Sequence, residues 1–256
     1  MITQIKLGMS NAYLIKMNDN NKKSILVDTG SPDEMDRVLT TLQKENIDIH
    51  HDISLIIHTH AHPDHAGNTY ALKQISPEIQ VAIHGNEAES LEEGRYKPVR
   101  PISPTGRLMV HFLKKQFKGI KPDIVIEDDV MELYAWGVNG KLVFTPGHTE
   151  GSISMVIEVN GKEARGDFDN NNNNNNNGVG GSSNQAIAGD LMKGGHLGGL
   201  LFSNQPDYHY FAYDLNEVRS SIKKLMDYSV SKVYVGHGGP LDQEDIKKRF
   251  SKDINF

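Results

Sequence analysis

Short apolar runs, many of them β-branched, recur along the chain and are bounded by Gly, Pro, Asn, Asp or Ser. This pattern predicts β-strands. The predicted strands span residues 2–7, 13–17, 24–27, 53–57, 80–83, 124–126, 131–134, 141–144, 152–159 and 230–235. Residues 18–21 form a polar turn between the second and third strands, so we expect the chain to open as a β-meander.

Helical patterns fill much of the remaining sequence. Ser31, Pro32 and Glu34 predict a helix start, with Ser31 as N-cap, Pro32 in the first turn and Glu34 closing a capping box. A second capping box, Asp214 to Glu217, opens another helix. Apolar residues follow the first start at i, i+3, i+4 and i+7, and those at 215, 218, 222, 225 and 226 follow the second, so each helix has an apolar face that can be buried. Further helices are predicted at residues 66–75, 87–93, 108–117 and 242–250.

Three stretches carry weaker patterns. Residues 87–119 include a Pro-rich excursion at 98–104 and are expected to form a lid or a substrate wall. Residues 191–205 are rich in glycine and are expected to form a loop. The aromatic group at residues 208–211 either lines a pocket or packs under the next helix, and packing is the favoured interpretation.

A low-complexity segment interrupts the second half of the chain. Residues 165–185 contain an unbroken run of asparagine from 170 to 177 and too little apolar surface to order themselves. Asn160-Gly161 is a strong hairpin signal, and removing the segment joins residues 161–164 to 186–190 as one return strand. We therefore expect a single domain, residues 1–256, with a disordered insertion at 165–185.

Composition narrows the class of protein. A chain of 256 residues can bury one sizeable α/β core, and the absence of cysteine excludes disulfides and thiolate metal sites. The net charge of -6 and the lack of a long basic block disfavour a nucleic-acid partner. No apolar run approaches the ~18 residues of a membrane span, and the first residues do not resemble a signal peptide. These features predict a cytoplasmic protein that acts on a small molecule.

Four histidines and one aspartate lie within eight residues, directly after the strand at 53–57. His60 and His62, two positions apart in an extended chain, face the same side and can share one metal ion. Asp64 and His65 follow about one turn later, which suits a second ion. With no thiolate available, imidazole and carboxylate ligands point to zinc, or to manganese or iron. A loop of surface histidines is the competing interpretation, and the density of the cluster disfavours it.

Single polar residues end several other predicted strands. Asp28 either orients a metal-bound histidine or hydrogen-bonds its own turn. His148 lies in a Gly/Pro turn and is a candidate ligand, whereas Asp190 either bridges two metals or caps its strand. His237 stands between glycines after the last strand. His84 is expected only to hydrogen-bond the local backbone.

In this order, the motifs resemble those of the metallo-β-lactamase fold superfamily. They are Val27-Asp28-Thr29-Gly30, Thr59-His60-Ala61-His62-Pro63-Asp64-His65-Ala66-Gly67, Thr145-Pro146-Gly147-His148-Thr149, Gly189-Asp190 and Gly236-His237-Gly238. The resemblance implies an α/β fold, a four-layer αββα sandwich in which two mixed sheets are flanked by helices. It also implies a site for two metal ions at one edge of the sandwich.

The resemblance assigns the ligands as well. It implies that three histidines hold the first metal, that one aspartate and two histidines hold the second, and that a further aspartate bridges them: His60, His62 and His148; Asp64, His65 and His237; Asp190. His58 matches no ligand position. The implied cofactors are two divalent ions, with Zn²⁺ preferred and Mn²⁺ or Fe as alternatives.

These ions imply hydrolysis. A water bridging two divalent cations loses its proton near neutral pH, and Asp64 is the candidate catalytic residue that orients the nucleophile and passes a proton to the leaving group. The resemblance favours a small ester, thioester or lactone, as in the glyoxalase II-like and lactonase-like branch. A phosphodiesterase or ribonuclease of the same fold is the alternative. A true β-lactamase is disfavoured by the missing cysteine ligand, and a non-catalytic metal-binding protein is disfavoured by the complete ligand set.

Overall fold

The computed structural model describes residues 1–17, 23–112, 116–159 and 183–256. Its strands and α-helices are β1 Ile2–Lys6, β2 Asn11–Ile15, β3 Ser24–Val27, α1 Met35–Lys44, β4 Ile53–Ile57, α2 Pro63–Ala66, α3 Thr69–Ile75, β5 Gln80–His84, α4 Gly85–Glu93, β6 Arg100–Pro101, α5 Pro104–Met109, β7 Ile124–Ile126, β8 Val130–Glu132, β9 Gly140–Phe144, β10 Ile153–Val159, β11 Ser183–Ile187, β12 Lys193–His196, β13 Leu201–Asp207, β14 Phe211–Ala212, α6 Leu215–Asp227, β15 Val230–Tyr234, β16 Leu241–Asp242 and α7 Gln243–Phe250.

Two six-stranded mixed sheets form the centre of the fold. The first has the order β1-β2-β3-β4-β5-β7, with β1 to β3 antiparallel and β3 to β7 parallel. The second has the order β16-β15-β11-β10-β9-β8, in which β11 and β15 alone are a parallel pair. The predicted opening meander is therefore confirmed, although its turn at residues 18–21 lies outside the described residues.

Period-two burial places one core between the sheets and one on each outer face. Tyr13, Ile25 and Leu55 of the first sheet pack against Leu142 and Met155 of the second. The intervening positions face outward, because successive strand residues point to opposite sides. Helices α1 and α3 cover the outer face of the first sheet, and α6 and α7 cover that of the second. The predicted four-layer αββα architecture is confirmed.

Several polar motifs leave this sandwich at the same edge. Strands β3, β4 and β5 run parallel, so the residues that follow β3 and β4 come out side by side. In the second sheet, β11 and β15 are parallel, so Asp190 and His237, which follow these strands, lie at the same edge. Ile153 donates its backbone N–H to the carbonyl of Thr59 at 3.0 Å, which joins the two sheets at this edge.

Among the described residues, no helix is long and apolar enough to cross a bilayer.

Two predicted helix boundaries are wrong. Helix α1 begins at Met35, because Ser31 to Glu34 forms a turn in which the Glu34 carboxylate accepts the N–H groups of Gly8 and Ser31. The helix predicted at 66–75 begins only at Thr69, as α3, and the separate short helix α2 ends at Ala66. Asn68 separates the two helices by donating its side-chain amide to the carbonyls of Thr29 and Ser31, at 2.7 and 2.6 Å.

The segment predicted as a lid or wall also differs in detail. Helix α5 begins after Ser103, whose hydroxyl accepts the N–H of Gly106 at 3.0 Å, and ends at Met109. A short 3-10 turn follows at Val110–Phe112. The helix predicted at 108–117 is therefore wrong, because the Ser-Pro pair at 103–104 is a helix start and not part of an excursion. The end of that prediction, at residues 113–115, lies outside the described residues.

Two predictions in the second half need correction. The stretch expected to be a loop at 191–205 contains the hairpin β12–β13, whose buried Lys193 donates to the Gly195 carbonyl at 2.7 Å and lies 3.3 Å from the Asp207 carboxylate. Residues 183–185, assigned to the insertion, belong to β11 and pair with β10. The rest of the predicted insertion and the Asn160-Gly161 turn lie outside the described residues.

Candidate metal centre

The loop after β4 carries His60 and His62 into the site and is held by a buried glutamate. The Glu87 carboxylate accepts the N–H of Ala61 at 3.0 Å and the N–H of Gly151 at 3.2 Å. Burial raises the pKa of Glu87, and these two N–H groups act in the opposite direction. One side chain therefore fixes the His60–His62 loop to the loop that contains His148.

His148 follows β9 in a turn that packs tightly on helix α6. Gly147 has a φ of 129°, and a Cβ there would meet the backbone of Val218. Only glycine allows both this conformation and this approach. Tyr213 donates its N–H to the carbonyl of His148 at 3.0 Å. The Pro146-Gly147-His148 turn is thus held from both sides.

Three imidazole nitrogens converge at the first of two clusters. Nε2 of His60 lies 3.0 Å from Nδ1 of His62, which lies 3.1 Å from Nε2 of His148. All three side chains are buried. The structure therefore brings together the three histidines predicted for the first metal.

The second cluster is built from the residues predicted for the second metal. Oδ2 of Asp64 lies 3.4 Å from Nε2 of His237 and 3.9 Å from Nε2 of His65. The Asp64 side chain is 37% exposed, whereas His65 is fully buried, so this cluster is the more open to solvent. His237 is placed by Tyr13 and Asn11, whose side chains donate to the Val235 carbonyl at 2.7 and 2.9 Å.

Asp190 lies between the two clusters. Its Oδ2 is 3.4 Å from Nε2 of His148 and 3.8 Å from Nε2 of His60. Its Oδ1 is 3.3 Å from Nε2 of His65. Gly236 makes room for this arrangement, since a Cβ there would meet Oδ1 of Asp190 and lie 2.7 Å from Cε1 of His65.

In His65 and His60, a hydrogen bond at Nδ1 orients the ring so that Nε2 faces the metal centre. Asp28 accepts from Nδ1 of His65 at 2.9 Å, and it also accepts the N–H and the hydroxyl of Thr59. Because the Thr59 hydroxyl donates to Asp28, it accepts from Nδ1 of His60 at 3.1 Å. One carboxylate thus orients a histidine of each cluster, and of the two roles predicted for Asp28 the structure supports orientation of a histidine.

Burial sets the protonation of the first cluster. It lowers the pKa of His60 and His62 well below the ordinary value and also lowers that of His148. These imidazoles are therefore neutral near pH 7. Neutral imidazole is the form that offers a lone pair to a metal.

Carboxylates set the protonation of the second cluster. Burial alone would lower the pKa of His237 and His65, but Asp190 and other acids outweigh it, raising the pKa of His237 to about 9 and that of His65 well above its ordinary value. Burial would raise the pKa of Asp190, yet the neighbouring histidines hold it well below its ordinary range. Protons on His65 and His237 thus supply positive charge to the metal-free protein.

The residues present fit a metal centre. Among the described residues, Nε2 of His65 and Oδ1 of Asp190 are buried and lie 3.3 Å apart without forming a hydrogen bond of normal geometry, and a buried polar atom that lacks such a bond is costly. Nitrogen atoms 3.0–3.1 Å apart in the first cluster match the spacing of imidazoles around a shared ion. Ligand atoms of each predicted set lie within 4.8 Å of one another.

One histidine of the site was missed from sequence. His209 is buried, with Nε2 at 3.4 Å from Oδ2 of Asp190. Of the aromatic group 208–211, Tyr208 alone packs on the helices, against Phe250, whereas the other three line the cavity over the centre. Packing under the helix was therefore the wrong choice for these three, and no spacing signal links His209 to the metal motifs.

Two other histidines are outside the site. His58 is buried, with Nε2 at 2.8 Å from the hydroxyl of Thr69, which agrees with its exclusion from the ligand pattern. His84 accepts the N–H of Asn86 at 3.2 Å and caps helix α4. Its predicted local role is confirmed.

A family description matches this arrangement of fold and side chains. The model of the metallo-beta-lactamase superfamily matches residues 5–165, more than half of the chain. The chain belongs to the metallo-β-lactamase superfamily. The predicted family is confirmed.

Two curated members of the superfamily show how far the likeness extends. A probable metallo-hydrolase of Methanocaldococcus jannaschii is 30% identical over 149 residues, which cover 58% of this chain and 63% of the relative. A beta-lactamase-like protein 2 homolog of Caenorhabditis elegans is 25% identical over 234 residues, covering 91% of this chain and 57% of the relative. In both cases the chain spans less than two thirds of the relative's own length.

A solved member of the superfamily has the same fold. The subclass B3 metallo-β-lactamase BJP-1 of Bradyrhizobium japonicum matches with a TM-score of 0.62, covering 99% of this chain and 87% of that one. The two sequences are 18% identical, so the likeness shows the fold alone. In this metallo-β-lactamase fold, the centre opens into a cavity of about 320 Å³ whose walls include Met9, Tyr96, Val99 and Met109.

Proposed function

We propose that the chain is a dinuclear metal-dependent hydrolase that cleaves a small ester, thioester or lactone. The observation that carries the proposal is the pairing of two ligand clusters around Asp190 with a cavity whose described lining contains neither lysine nor arginine. The clusters support hydrolysis, and the cavity supports the class of substrate.

The first metal would be held by His60, His62 and His148, and the second by Asp64, His65 and His237, with Asp190 between them. Supporting this assignment, Oδ2 of Asp190 lies near a histidine of each set, 3.4 Å from Nε2 of His148 and 3.3 Å from Nε2 of His237, and Oδ1 lies 3.3 Å from Nε2 of His65. Zinc is the preferred ion, because neutral imidazole and carboxylate are its usual ligands where cysteine is absent. Manganese and iron are the alternatives that metal analysis would identify.

Two divalent ions would supply a deprotonated water at neutral pH and would polarise the scissile carbonyl. The protein's own contribution is to orient ligands and to move protons. Asp64 and Asp190 both line the cavity, but the side chain of Asp64 is 37% exposed and that of Asp190 only 1%. We assign Asp64 the proton transfer to the leaving group, since a general acid must reach both the site and the substrate.

The lining of the cavity favours a substrate without an anionic recognition group. Among the described residues, neither lysine nor arginine lines it, whereas Asp33, Glu34 and Asp64 do. Its other walls include the apolar side chains Met9 and Val99. An acyl group fits such walls, because apolar contacts supply affinity and no charge needs a partner.

The same lining disfavours the two alternatives of the same fold. A phosphodiester or RNA carries charge that is normally met by arginine or lysine. A β-lactam drug carries a carboxylate that also requires a cationic partner. We therefore rank phosphodiesterase or ribonuclease activity second and β-lactamase activity third.

The test is a panel of four substrates given to the metal-loaded protein and to a chelator-treated sample. The panel contains an acyl-homoserine lactone, a glutathione thioester, an aryl phosphodiester and a β-lactam. We expect chelator-sensitive turnover of the lactone or the thioester, with the uncharged lactone preferred. Turnover of the phosphodiester or the β-lactam alone would overturn the proposed class, and inactivity of a fully loaded protein on all four would remove the proposal.

Two single variants, one of a histidine outside both clusters and one of Asp190, test the bridging role of Asp190. His51→Gln changes an exposed histidine that lies outside both clusters and should leave metal content and activity within about threefold. Asp190→Ala removes the bridging carboxylate and should lower bound metal or turnover by orders of magnitude. Full metal loading together with full turnover in the Asp190 variant would contradict the bridging role.

A further inference from the structure

His209 lies inside the centre although the ligand pattern implied by the resemblance does not include it, and its ligand atom lies within 4.8 Å of those of Asp190 and His237. Its ring stacks on that of His237, with centroids 5.1 Å apart and planes 27° apart, and meets the edge of His148 at 4.6 Å. Its Nε2 lies 3.4 Å from Oδ2 of Asp190. Position alone would allow His209 to be either an additional ligand or a hydrogen-bond donor.

The hydrogen bonds of two neighbouring histidines, His148 and His237, show which ring nitrogen of each is available to bind a metal. Nδ1 of His148 lies 3.0 Å from the carbonyl of Phe211, and Nδ1 of His237 lies 2.7 Å from the carbonyl of Met9. A carbonyl only accepts hydrogen bonds, so both Nδ1 atoms carry the proton. In the neutral rings, Nε2 is then the atom with a free lone pair, and it faces the site.

His209 is oriented the other way. The backbone N–H of Phe211 points at Nδ1 of His209 across 3.4 Å. An amide N–H only donates, so Nδ1 is the acceptor and Nε2 of the neutral ring carries the proton. The lone pair of His209 therefore faces a backbone amide, and its N–H faces the carboxylate of Asp190.

One residue sets both orientations. Phe211 gives its N–H to His209 and its carbonyl to His148. The backbone around it is fixed by the pairing of β14 with β6 and by the hydrogen bond from Ile102 to the Tyr210 carbonyl at 3.0 Å. The opposite tautomers of the two histidines thus follow from a single, well-held peptide segment.

We propose that His209 is a positioning residue that donates its Nε2–H to Asp190 and is not a metal ligand. This inference rests on the proposed two-metal site. The donated hydrogen bond holds the carboxylate in the rotation that turns Oδ2 toward His148 and Oδ1 toward His65. Without it, the carboxylate is free to rotate and to serve one cluster at the expense of the other.

The direct test is long-range ¹H–¹⁵N NMR of the zinc-loaded protein with labelled histidine, which reports the protonated nitrogen of each ring. His84 is the internal control, because Asn86 donates to its Nδ1 in the same i+2 pattern, away from the metal centre. We expect His209 and His84 to share the Nε2–H tautomer, without a zinc-induced ¹⁵N shift. A protonated Nδ1 and a zinc-shifted Nε2 at His209 would make it a ligand and overturn the proposal.

Two variants test the role itself. His209→Phe keeps the ring and removes the donor, and His209→Gln restores a side-chain N–H. We expect both to bind as much metal at saturation as the unchanged protein. Metal affinity should fall about 10–100-fold in the Phe variant, as for other partners of ligating groups, and recover in the Gln variant.

The His209→Phe variant distinguishes a metal ligand, a positioning residue and a residue with no role. Loss of one metal equivalent at saturation in His209→Phe would show a ligand, and unchanged affinity would show no role. His51→Phe, at an exposed histidine outside the metal centre, is the control and should leave metal affinity unchanged. These readouts need no substrate, so they hold even if the proposed ester, thioester or lactone activity fails.

Discussion

Oδ2 of Asp28 lies 2.9 Å from Nδ1 of His65, and through the hydroxyl of Thr59 the same carboxylate also fixes His60. One side chain at the end of β3 therefore determines the ring orientation of one histidine in each cluster. Asp28 has a φ of 59°, which asparagine also tolerates. Asn is thus the replacement that keeps the backbone and changes the hydrogen bonds.

Asp28→Asn should weaken metal binding about 10–100-fold. The amide would present N–H groups where His65 and Thr59 now donate, which favours the wrong tautomer. Competition with a chromogenic chelator measures the affinity. Asp123→Asn is the control, because Asp123 accepts the Val81 N–H at the opposite end of the sheet, and it should bind metal normally. Normal affinity in Asp28→Asn would show that this carboxylate does not orient the ligands.

Much of the fold was predictable because local chemistry is strong there. Asp214 caps α6 as expected, with its carboxylate at 2.7 Å from the N–H of Asn216. The predicted helix boundaries were wrong where contacts between residues distant in the sequence determine the structure. Asn68 breaks a helix by bonding to residues almost forty positions earlier in the chain, and such a contact leaves no local pattern.

The site shows the same division. His60, His62, Asp64 and His65 were predicted from their spacing after a strand, and the family resemblance implied the complete ligand set. The structure brings all seven of these side chains into the two clusters. His209 reaches the centre through the pairing of β14 with β6. Nothing in its neighbouring sequence indicates that pairing, so position 209 could not be assigned to the site without the fold.

A second prediction concerns Glu87, which ties together the two loops of the first cluster. Glu87→Ala would leave the N–H groups of Ala61 and Gly151 without their acceptor. We expect loss of metal from the His60, His62 and His148 cluster, with the weaker metal leaving first in dialysis followed by elemental analysis. Glu89→Ala, on the exposed side of the same helix, should retain full metal content. Equal retention by the two variants would refute the role of Glu87.

A third prediction is that metal binding releases protons. In the metal-free protein the pKa of His237 is about 9 and that of His65 is also raised. Both rings must lose a proton to bind a metal, so affinity should rise with pH up to about 9, by about tenfold per unit for each proton released. Calorimetry in two buffers of different ionisation enthalpy counts the protons. Affinity that is flat between pH 6.5 and 9 would contradict this.

A fourth prediction is that the metal-free protein is most stable near pH 6.5. Below that value the buried histidines with lowered pKa, such as His60 and His62, bind protons in the unfolded chain but not in the folded one. Stability is therefore lost as the pH falls. Above it, His237 holds a proton when folded and not when unfolded, so stability is lost as the pH rises toward 9. The shift of His237 from 6.5 to about 9 corresponds to about 3 kcal/mol.

Denaturant unfolding of the chelated protein from pH 5 to 9.5 would check this maximum. The zinc-loaded protein is the comparison, because the metal replaces the protons of His65 and His237 and should remove the loss on the alkaline side. A metal-free protein that becomes steadily more stable up to pH 9 would contradict the charges assigned to the second cluster.

The central claim is that seven side chains hold two metal ions on either side of Asp190. Anomalous diffraction at the metal edge from crystals of the loaded protein tests it most directly. We predict two peaks per chain, one among His60, His62 and His148 and one among Asp64, His65 and His237, with a carboxylate oxygen of Asp190 next to each. A single peak at saturating metal, or a peak that these residues do not surround, would contradict the claim.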